Sequence, residues 1–277
     1  MSEDNLKKVD LHLHSNHSDG LFSPEKLIAI IVEAGITAAA LTDHDTLTGL
    51  EEAANAAANF DLEFIPGVEI SVVEERREIH ILGYYPRKLD FLNSKLCHLK
   101  DQRFKRMKNT IALLNSMGFK LTYDDLVSKA GYAAPGRLHL ARVMLENRYV
   151  GSLDEAFKLY LGFGKPAYIP RKTYSLKETM NLLKISGAIP VIAHPGMIGI
   201  TMLPDLIQMG LRGVEVFHPD HNKAMTAKLL QITKNNGLLI TGGSDFHGKN
   251  LDNYSYPAER AINFCYFEDL RAAATYN

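Results

Sequence analysis

The chain has 277 residues, of which 46% are hydrophobic, so it can bury the core of one large domain or of one domain with an insertion. Its net charge of −1 and the lack of long runs of one sign argue against a broad face for duplex nucleic acid or membranes, but not against a local phosphate site. Cys97 and Cys265 are too few and too scattered for a disulfide framework or a thiolate metal site. The start lacks an apolar leader and no apolar stretch has the length of a membrane span, so we expect a cytoplasmic protein.

Strand and helix signals alternate over residues 1–89. Ser23 and Pro24 mark the start of a helix, which apolar residues at helical spacing continue until Gly35. An alanine-rich stretch, residues 48–59, predicts the next helix. Short apolar segments predict four strands, at residues 9–14, 36–41, 62–68 and 78–84.

Residues 90–164 predict helices and no strand. The apolar spacing within residues 90–117 is that of one long amphipathic helix ending at Gly118. Shorter helices are predicted at residues 123–129, 136–147 and 153–161. We interpret residues 90–164 as an α-helical insertion and residues 162–166 as the linker that returns to the first domain.

Alternation resumes over residues 165–277. Ser175 and Glu178 form a capping-box pattern that opens a helix ending at Gly187. Three further strands are predicted at residues 189–193, 213–217 and 238–241. Repeated β-α units favour a parallel sheet, formed here by residues 1–89 and 165–277 together.

Histidines and carboxylates occur where these strands end. His12 and His14 leave the same face of one strand, because successive side chains alternate. His80 lies within its strand, and we expect His194 to be extended because Pro195 follows it. The candidate metal-binding set is His12, His14, Asp19, His44, Glu69, His80, His194, Asp245 and His247. Candidates on so many strands favour a barrel, with one site at its top face, over an open sheet.

The composition of this set predicts the kind of metal. Six histidines and three carboxylates without cysteine suit Zn, Mn or Fe rather than Ca or Mg. Nine residues are too many for one ion, so we expect two or three divalent ions, with a carboxylate such as Glu69 as a bridge. Ions spaced in this way can hold a hydroxide and stabilise both oxygens of a displacement at phosphorus.

The order of these motifs resembles a known family. HxH…SDG, TDHD, GxE, a strand histidine, AHP and SDxH look like the PHP (polymerase and histidinol phosphatase) family. Within it the chain resembles stand-alone phosphoesterases that act on 3′,5′-nucleoside bisphosphates and trim short oligonucleotides. The resemblance implies a distorted (β/α)7 TIM-like barrel with an α-helical insertion and three metal ions. By family pattern the ligand groups are His12, His14, Glu69 and Asp245; Glu69, His80 and His194; and Asp19, His44 and His247.

Two motifs outside the metal set also fit this branch. Gly136-Arg137-Leu138-His139 matches a Gly-Arg-x-His pattern in an insertion that caps the site, and residues 217–221 match an aromatic-His-Pro-x-His stretch. Arg137 is our candidate for binding substrate phosphate, because an arginine side chain can donate two parallel hydrogen bonds to one phosphate group. His221 is a second candidate, either for phosphate binding or as the acid that protonates the leaving oxygen, and His218 is a third phosphate contact.

We therefore expect a phosphoesterase in which a metal-bound hydroxide attacks the phosphate of a small nucleotide or of a short 5′-phosphorylated oligonucleotide. Histidinol phosphate is the alternative substrate. An amidohydrolase acting on C–N bonds also opens with HxH, but Asp19, Glu69 and the closing Asp-x-His pair fit that pattern poorly. A non-catalytic metal-binding scaffold would need neither a complete ligand set nor Arg137. The sequence does not indicate an oligomeric state.

Overall fold

The computed structural model describes residues 7–74, 77–131, 135–248 and 261–275. The chain divides into two compact units, a barrel unit of residues 1–95 and 174–277 and a helical unit of residues 96–173. The sequence patterns place the corresponding changes at residues 90 and 165.

Eight strands among the described residues of the barrel unit form one sheet. They are β1 (Lys8–Leu13), β2 (Ile36–Leu41), β3 (Glu63–Glu74), β4 (Arg77–Tyr84), β5 (Ile189–Ile192), β6 (Gly213–Phe217), β7 (Leu239–Gly242) and β8 (Ile262–Asn263). Their order is β7-β6-β5-β4-β3-β2-β1-β8. The segment after β7 pairs with the end of β1, where His14 N–H donates to the Phe246 carbonyl at 3.0 Å and Asp245 N–H to the His12 carbonyl at 2.9 Å. The sheet is thus nearly closed, and the predicted TIM-like barrel is confirmed.

The expectation of a parallel sheet is wrong for two strands of the barrel, β4 and β8. β4 pairs antiparallel with both β3 and β5, and β8 pairs antiparallel with β1. The β1–β2, β2–β3, β5–β6 and β6–β7 pairs are parallel. β3 is also longer than predicted and continues past Glu69 to Glu74. Glu69 therefore lies within a strand rather than at the end of one.

Helices flank the strands in sequence. They are α1 (Pro24–Glu33), α2 (Leu50–Ala57), α3 (Leu89–Ser116), α4 (Tyr123–Ala130), α5 (Arg137–Glu146), α6 (Leu153–Ala156), α7 (Leu176–Ser186), α8 (Gly196–Gln208), α9 (Lys223–Asn235) and α10 (Phe264–Thr275). A π-helical segment, Phe157–Leu161, follows α6. The sequence patterns do not predict α8, α9, α10 or β8; α8 contains Pro204, which weakens a helical signal.

The predicted helix boundaries coincide with capping residues in the structure. Ser23 Oγ accepts a hydrogen bond from Lys26 N–H, and Pro24 occupies the first turn of α1. The reciprocal capping box of Ser175 and Glu178 is confirmed at the start of α7. Gly187 ends α7 at a φ of 73°, a left-handed conformation that costs glycine little.

Each unit has its own apolar core. In the barrel unit, residues of β1 to β5 pack with Phe267 and Leu270 of α10, and in the helical unit Met107, Leu126 and Leu140 belong to a second cluster. Within the described ranges, no helix combines the length and the apolar character needed to cross a bilayer.

Candidate metal centre

The nine predicted residues lie in the barrel unit, and their side chains converge. His12 Nε2 and His14 Nε2 are 3.1 Å and 3.2 Å from Oε2 of Glu69. Asp245 Oδ1 lies 3.3 Å and 3.0 Å from the same two nitrogens. One ligand atom from each of these four residues lies within 4.8 Å of the others, a spacing that fits around one ion.

The second oxygen of Glu69 faces a different pair of histidines. Oε1 is 3.0 Å from His80 Nδ1 and 3.3 Å from His194 Nε2. These two nitrogens are 3.3 Å apart. The two oxygens of one buried carboxylate thus point at separate sets of nitrogens, which is the position of a bridging ligand.

A third group surrounds Asp19. Its Oδ1 is 3.2 Å from His247 Nε2, and its Oδ2 is 3.8 Å from His44 Nε2. The other ring nitrogen of His44, Nδ1, is 3.2 Å from Glu69 Oε2, so the ring of His44 lies between the carboxylates of Asp19 and Glu69. The atoms of His14, Asp19, His44 and His247 again lie within 4.8 Å of one another.

The reversed strand β4 explains why His80 comes early in its strand. The site lies at the end of the barrel where the parallel strands finish, as at the top face of other such barrels. Because β4 runs the other way, its beginning lies at that end, and His80 is opposite Ser71 in the β3–β4 pairing. A residue at the carboxyl end of β4 would lie at the opposite end of the barrel from the site.

The buried atoms at the centre fit divalent cations. His12 Nε2, His14 Nε2, Glu69 Oε2 and Asp245 Oδ1 are buried and have no hydrogen-bond partner among the described residues, although they lie about 3 Å apart. Buried polar atoms are rarely left unpaired, and lone pairs converging at this spacing are expected where an ion binds. Imidazole and carboxylate without thiolate are donors that Zn, Mn and Fe accept.

The electrostatics of the centre also favour a cation. Burial lowers the pKa of His14, but Asp245 and Glu69 outweigh it and raise the pKa to about 10. Burial likewise raises the pKa of Glu69, while His44, His12 and His80 lower it, with the net result well below its usual range. Glu69 is therefore ionised, and the negative charge at the centre is strong enough to bind protons or metal ions.

A buried carboxylate, Glu215 on β6, is a residue that sequence reasoning missed. Its Oε1 accepts a hydrogen bond from Nδ1 of His12 at 2.9 Å, and both side chains are fully buried. The proton on Nδ1 leaves the Nε2 lone pair free to face Glu69 and Asp245. The available signal was an acidic residue at the centre of an apolar strand, Gly-Val-Glu-Val-Phe, where burial requires a partner.

Glu215 also fixes the backbone of His194. Its Oε2 accepts a hydrogen bond from His194 N–H at 2.8 Å. His194 has a φ of 25°, so the expectation of an extended residue is wrong, and such a conformation persists only where surrounding contacts impose it. Asp45 and Asp245 also have positive φ values, of 51° and 52°. Among the described residues, three of the five non-glycine residues with a positive φ thus lie in loops that carry the site.

Asp43 shapes the loop that carries Asp19. It accepts hydrogen bonds from Ser15 N–H at 2.7 Å, from Ser15 Oγ at 2.6 Å and from Ser18 Oγ at 2.5 Å. Asp45 accepts one from Ser71 N–H at 3.0 Å. Both acids that flank His44 therefore organise the backbone around the centre.

Two of the three predicted substrate contacts lie beside the centre. His218 Nδ1 accepts the backbone N–H of Asp220 at 3.1 Å, so the ring proton is on Nε2, 3.4 Å from Asp245 Oδ2. His221 Nδ1 donates to the Val216 carbonyl at 3.0 Å, and its ring centroid is 5.6 Å from that of His218. Arg137 belongs to the helical unit, where its Nη1 donates to the Leu161 carbonyl at 3.2 Å.

A barrel with histidines and carboxylates clustered where its strands end is the arrangement of a metal-dependent hydrolase. A model of the PHP domain matches residues 10–240 of the chain. The chain therefore belongs to the PHP domain family, as the sequence motifs predict.

Relatives that match nearly the whole chain are also phosphoesterases by name. A 5′-3′ exoribonuclease of Haemophilus influenzae is 33% identical over 264 residues, 89% of this chain and 95% of the relative. A 3′,5′-nucleoside bisphosphate phosphatase of Chromobacterium violaceum is 33% identical over 274 residues, 96% of this chain and 93% of the relative. A solved structure from Bifidobacterium adolescentis, described as a metal-dependent phosphoesterase, superposes with a TM-score of 0.83 at 28% identity over 95% of both chains. This chain is a phosphoric ester hydrolase.

Proposed function

We propose that this phosphoesterase removes phosphate from small nucleotides such as 3′,5′-nucleoside bisphosphates and also trims short 5′-phosphorylated oligonucleotides. One relative is named as a phosphatase of such bisphosphates and another as an exoribonuclease, at equal identity over nearly the whole chain. The two substrates share a nucleotide that carries a terminal phosphate. The two cysteines in 277 residues suit a reducing compartment, and we propose that the enzyme acts in the cytoplasm.

The observation that carries the proposal is the position of Glu69 between two sets of nitrogens, with distances of 3.0–3.3 Å on both sides. We assign two or three divalent ions, Mn, Zn or Fe, to the three ligand groups that the family pattern gives. When bound, such ions would lower the pKa of a water molecule and neutralise the charge that develops on phosphate. Glu215 and Asp43 would hold the ligands in place.

The remaining residues would bind the phosphate group. The Nε2–H of His218 is a donor at the edge of the centre, available to Asp245 or to a phosphate oxygen. Burial lowers the pKa of His221, so its neutral ring presents an unprotonated Nε2. His221 acts as the acid only after gaining a proton there, which the negative charge of the substrate favours. Arg137 would supply a bidentate contact to a phosphate group of the substrate.

Phosphate release from a panel of substrates, with Mn, Zn and Fe supplied in turn, tests the proposal. The panel holds a 3′,5′-bisphosphate, a 5′-monophosphate, a short 5′-phosphorylated RNA, histidinol phosphate and an amide. We expect the highest kcat/KM for the bisphosphate and measurable shortening of the RNA. Turnover of histidinol phosphate alone would replace the substrate assignment with the alternative, and cleavage of the amide alone would refute it.

A further inference from the structure

The helical unit and the barrel unit differ strongly in charge. Residues 96–173 contain 14 Lys and Arg against six Asp and Glu, a net charge of +8. The rest of the chain contains 17 against 26, a net charge of −9. The net charge of −1 for the whole chain therefore conceals a strongly basic unit. Such an asymmetry is typical of a region that binds a polyanion.

A buried arginine lies within this basic unit. Arg106 on α3 is only 9% exposed, and its Nε has no hydrogen-bond partner among the described residues. Buried arginines are normally paired with an anion. The pKa of Arg106 is lowered to about 10, mainly by burial and also by the positive charges of three other arginines. Arg106 thus remains protonated at neutral pH and is surrounded by like charges.

The arginines around Arg106 come from separate segments. Arg103 is one turn away on α3, Arg137 is the first residue of α5, and Arg171 follows the π-helical segment by ten residues. α5 has Gly136 as its N-cap and no acidic residue in its first turn, so the positive end of the helix dipole adds to these charges. The charges of these arginines repel that of Arg106, whose buried Nε has no hydrogen-bond partner among the described residues, so binding of an anion beside Arg106 is favoured.

Aromatic rings lie next to the arginines. The guanidinium of Arg137 is 5.4 Å from the ring centroid of Tyr168 and 5.9 Å from that of Phe157. Phe163 contacts Tyr168, with ring centroids 5.2 Å apart, and is 61% exposed. Arginines beside an exposed aromatic ring are the features by which proteins bind single-stranded nucleic acid, because the bases stack while the phosphates are neutralised.

We propose that the helical unit binds the phosphodiester backbone of a short single-stranded RNA and that Phe163 stacks on one of its bases. The residues of this arginine site are Arg103, Arg106, Arg137 and Arg171. One arginine suffices for one terminal phosphate, whereas four in one place suit consecutive phosphates. The choice of RNA rests on the proposed function; the anion site itself rests on the burial and charge of Arg106.

Binding without turnover separates this inference from the proposed function. The probe is a fluorescent eight-nucleotide RNA with 2′-O-methyl sugars and phosphorothioate linkages, titrated with the full metal-loaded chain at several salt concentrations. We expect Arg171→Ala and Arg106→Met to weaken binding roughly tenfold and to reduce the slope of log K against log salt by about 0.7 each, the value for one lost contact to a single strand. Arg106→Lys should restore the slope but not the full affinity.

Two further variants sharpen the test. Phe163→Ala should weaken binding about fivefold or more with an unchanged salt slope, because stacking releases no counterions. Arg142→Ala, which removes an exposed charge from the same unit, is the matched control and should bind the RNA as the unaltered chain does.

Three results would overturn the inference. They are wild-type affinity and slope in Arg171→Ala and Arg106→Lys, equal losses in Arg142→Ala, or displacement of the RNA by inorganic phosphate at equal concentration. If Arg106→Met fails to fold, as a melting curve would reveal, the other two arginine variants decide. If the unaltered chain hydrolysed none of the phosphate substrates, the proposed function would be refuted, but the RNA-binding result would still stand.

Discussion

Glu215 accepts a hydrogen bond from Nδ1 of His12 at 2.9 Å, and neither side chain is exposed. The bond selects the tautomer in which His12 Nε2 carries a lone pair aimed at Glu69 and Asp245. Because the other oxygen of Glu215 binds the backbone of His194, one carboxylate orients residues of two ligand groups.

Removing the charge of Glu215 should therefore weaken metal binding. Glu215→Gln keeps the size of the side chain but loses a charged acceptor, and we expect metal affinity to fall by roughly 10–100-fold. Competition against a coloured chelator measures this directly, without an activity assay. Glu33→Gln, on the exposed side of α1, is the control. Equal affinities in the two variants would contradict a positioning role for Glu215.

Replacing the proposed ligands should abolish phosphate release. Asp245→Asn and His194→Ala each remove one group of the centre, and a metal ion contributes several kcal/mol of transition-state stabilisation, so we expect kcat to fall on the order of 10³-fold. His98→Ala changes an exposed histidine on α3 and should leave turnover unaltered. Normal turnover by folded Asp245→Asn and His194→Ala enzymes would refute the assigned ligands.

Chelation should destabilise the protein. The centre has several buried atoms without a hydrogen-bond partner among the described residues, so a bound cation stabilises the folded state but not the unfolded one. At metal concentrations about 100 times Kd the gain is about 2.7 kcal/mol, or roughly 5–10 °C in Tm for a chain of this size. Melting curves before chelation, after it and after adding Mn back would measure the difference. Superimposable curves would argue against a metal centre.

Gly243 is fixed by its neighbours rather than by its backbone angles. A Cβ atom at this position would lie 2.5 Å from His12 Cβ and 2.8 Å from Asp10 Oδ1. We expect Gly243→Ala to cost about 1–3 kcal/mol of stability and to displace His12, lowering metal affinity as well. Gly151→Ala meets only the flexible end of Glu155 and is the control for stability in chemical unfolding. A variant as stable as that control would contradict the predicted clash.

His221 is the residue whose proposed role is easiest to separate from folding. His221→Asn retains a group that can donate to the Val216 carbonyl but cannot act as an acid. We expect a larger loss of kcat for substrates with a poor leaving group than for a nitrophenyl phosphate, whose leaving oxygen needs no proton. Equal losses for both substrates would favour a phosphate contact instead.

Much of the barrel and its site could be predicted from the sequence, because helix caps and strand-end motifs are local features that also occur at these places in the folded chain. Ser23, Ser175 and Gly187 mark helix ends through short-range hydrogen bonds and backbone freedom, and the metal-binding motifs follow strands. The expectation of repeated β-α units does not account for the direction of β4, because an apolar segment does not encode its polarity. The signal was nonetheless present: about nine residues separate the predicted strands, too few for a parallel crossover.

Long-range pairings could not be predicted in the same way. The partners of Glu215 are His12 and His194, which are distant in sequence, so only its burial in an apolar strand hinted at a role. The positive φ of His194 depends on that contact and not on the following proline. The basic character of the helical unit was obscured by averaging charge over the whole chain.

The bond from Ser244 N–H to Asp10 Oδ1, at 2.9 Å, joins residues 234 positions apart. Asp245, the next residue, is added to the nascent chain 233 positions after His12. Until then the ligand group of His12, His14 and Glu69 lacks its fourth member. We therefore expect this ligand group to hold a metal ion only after the segment that follows β7 has been made and has paired with the end of β1.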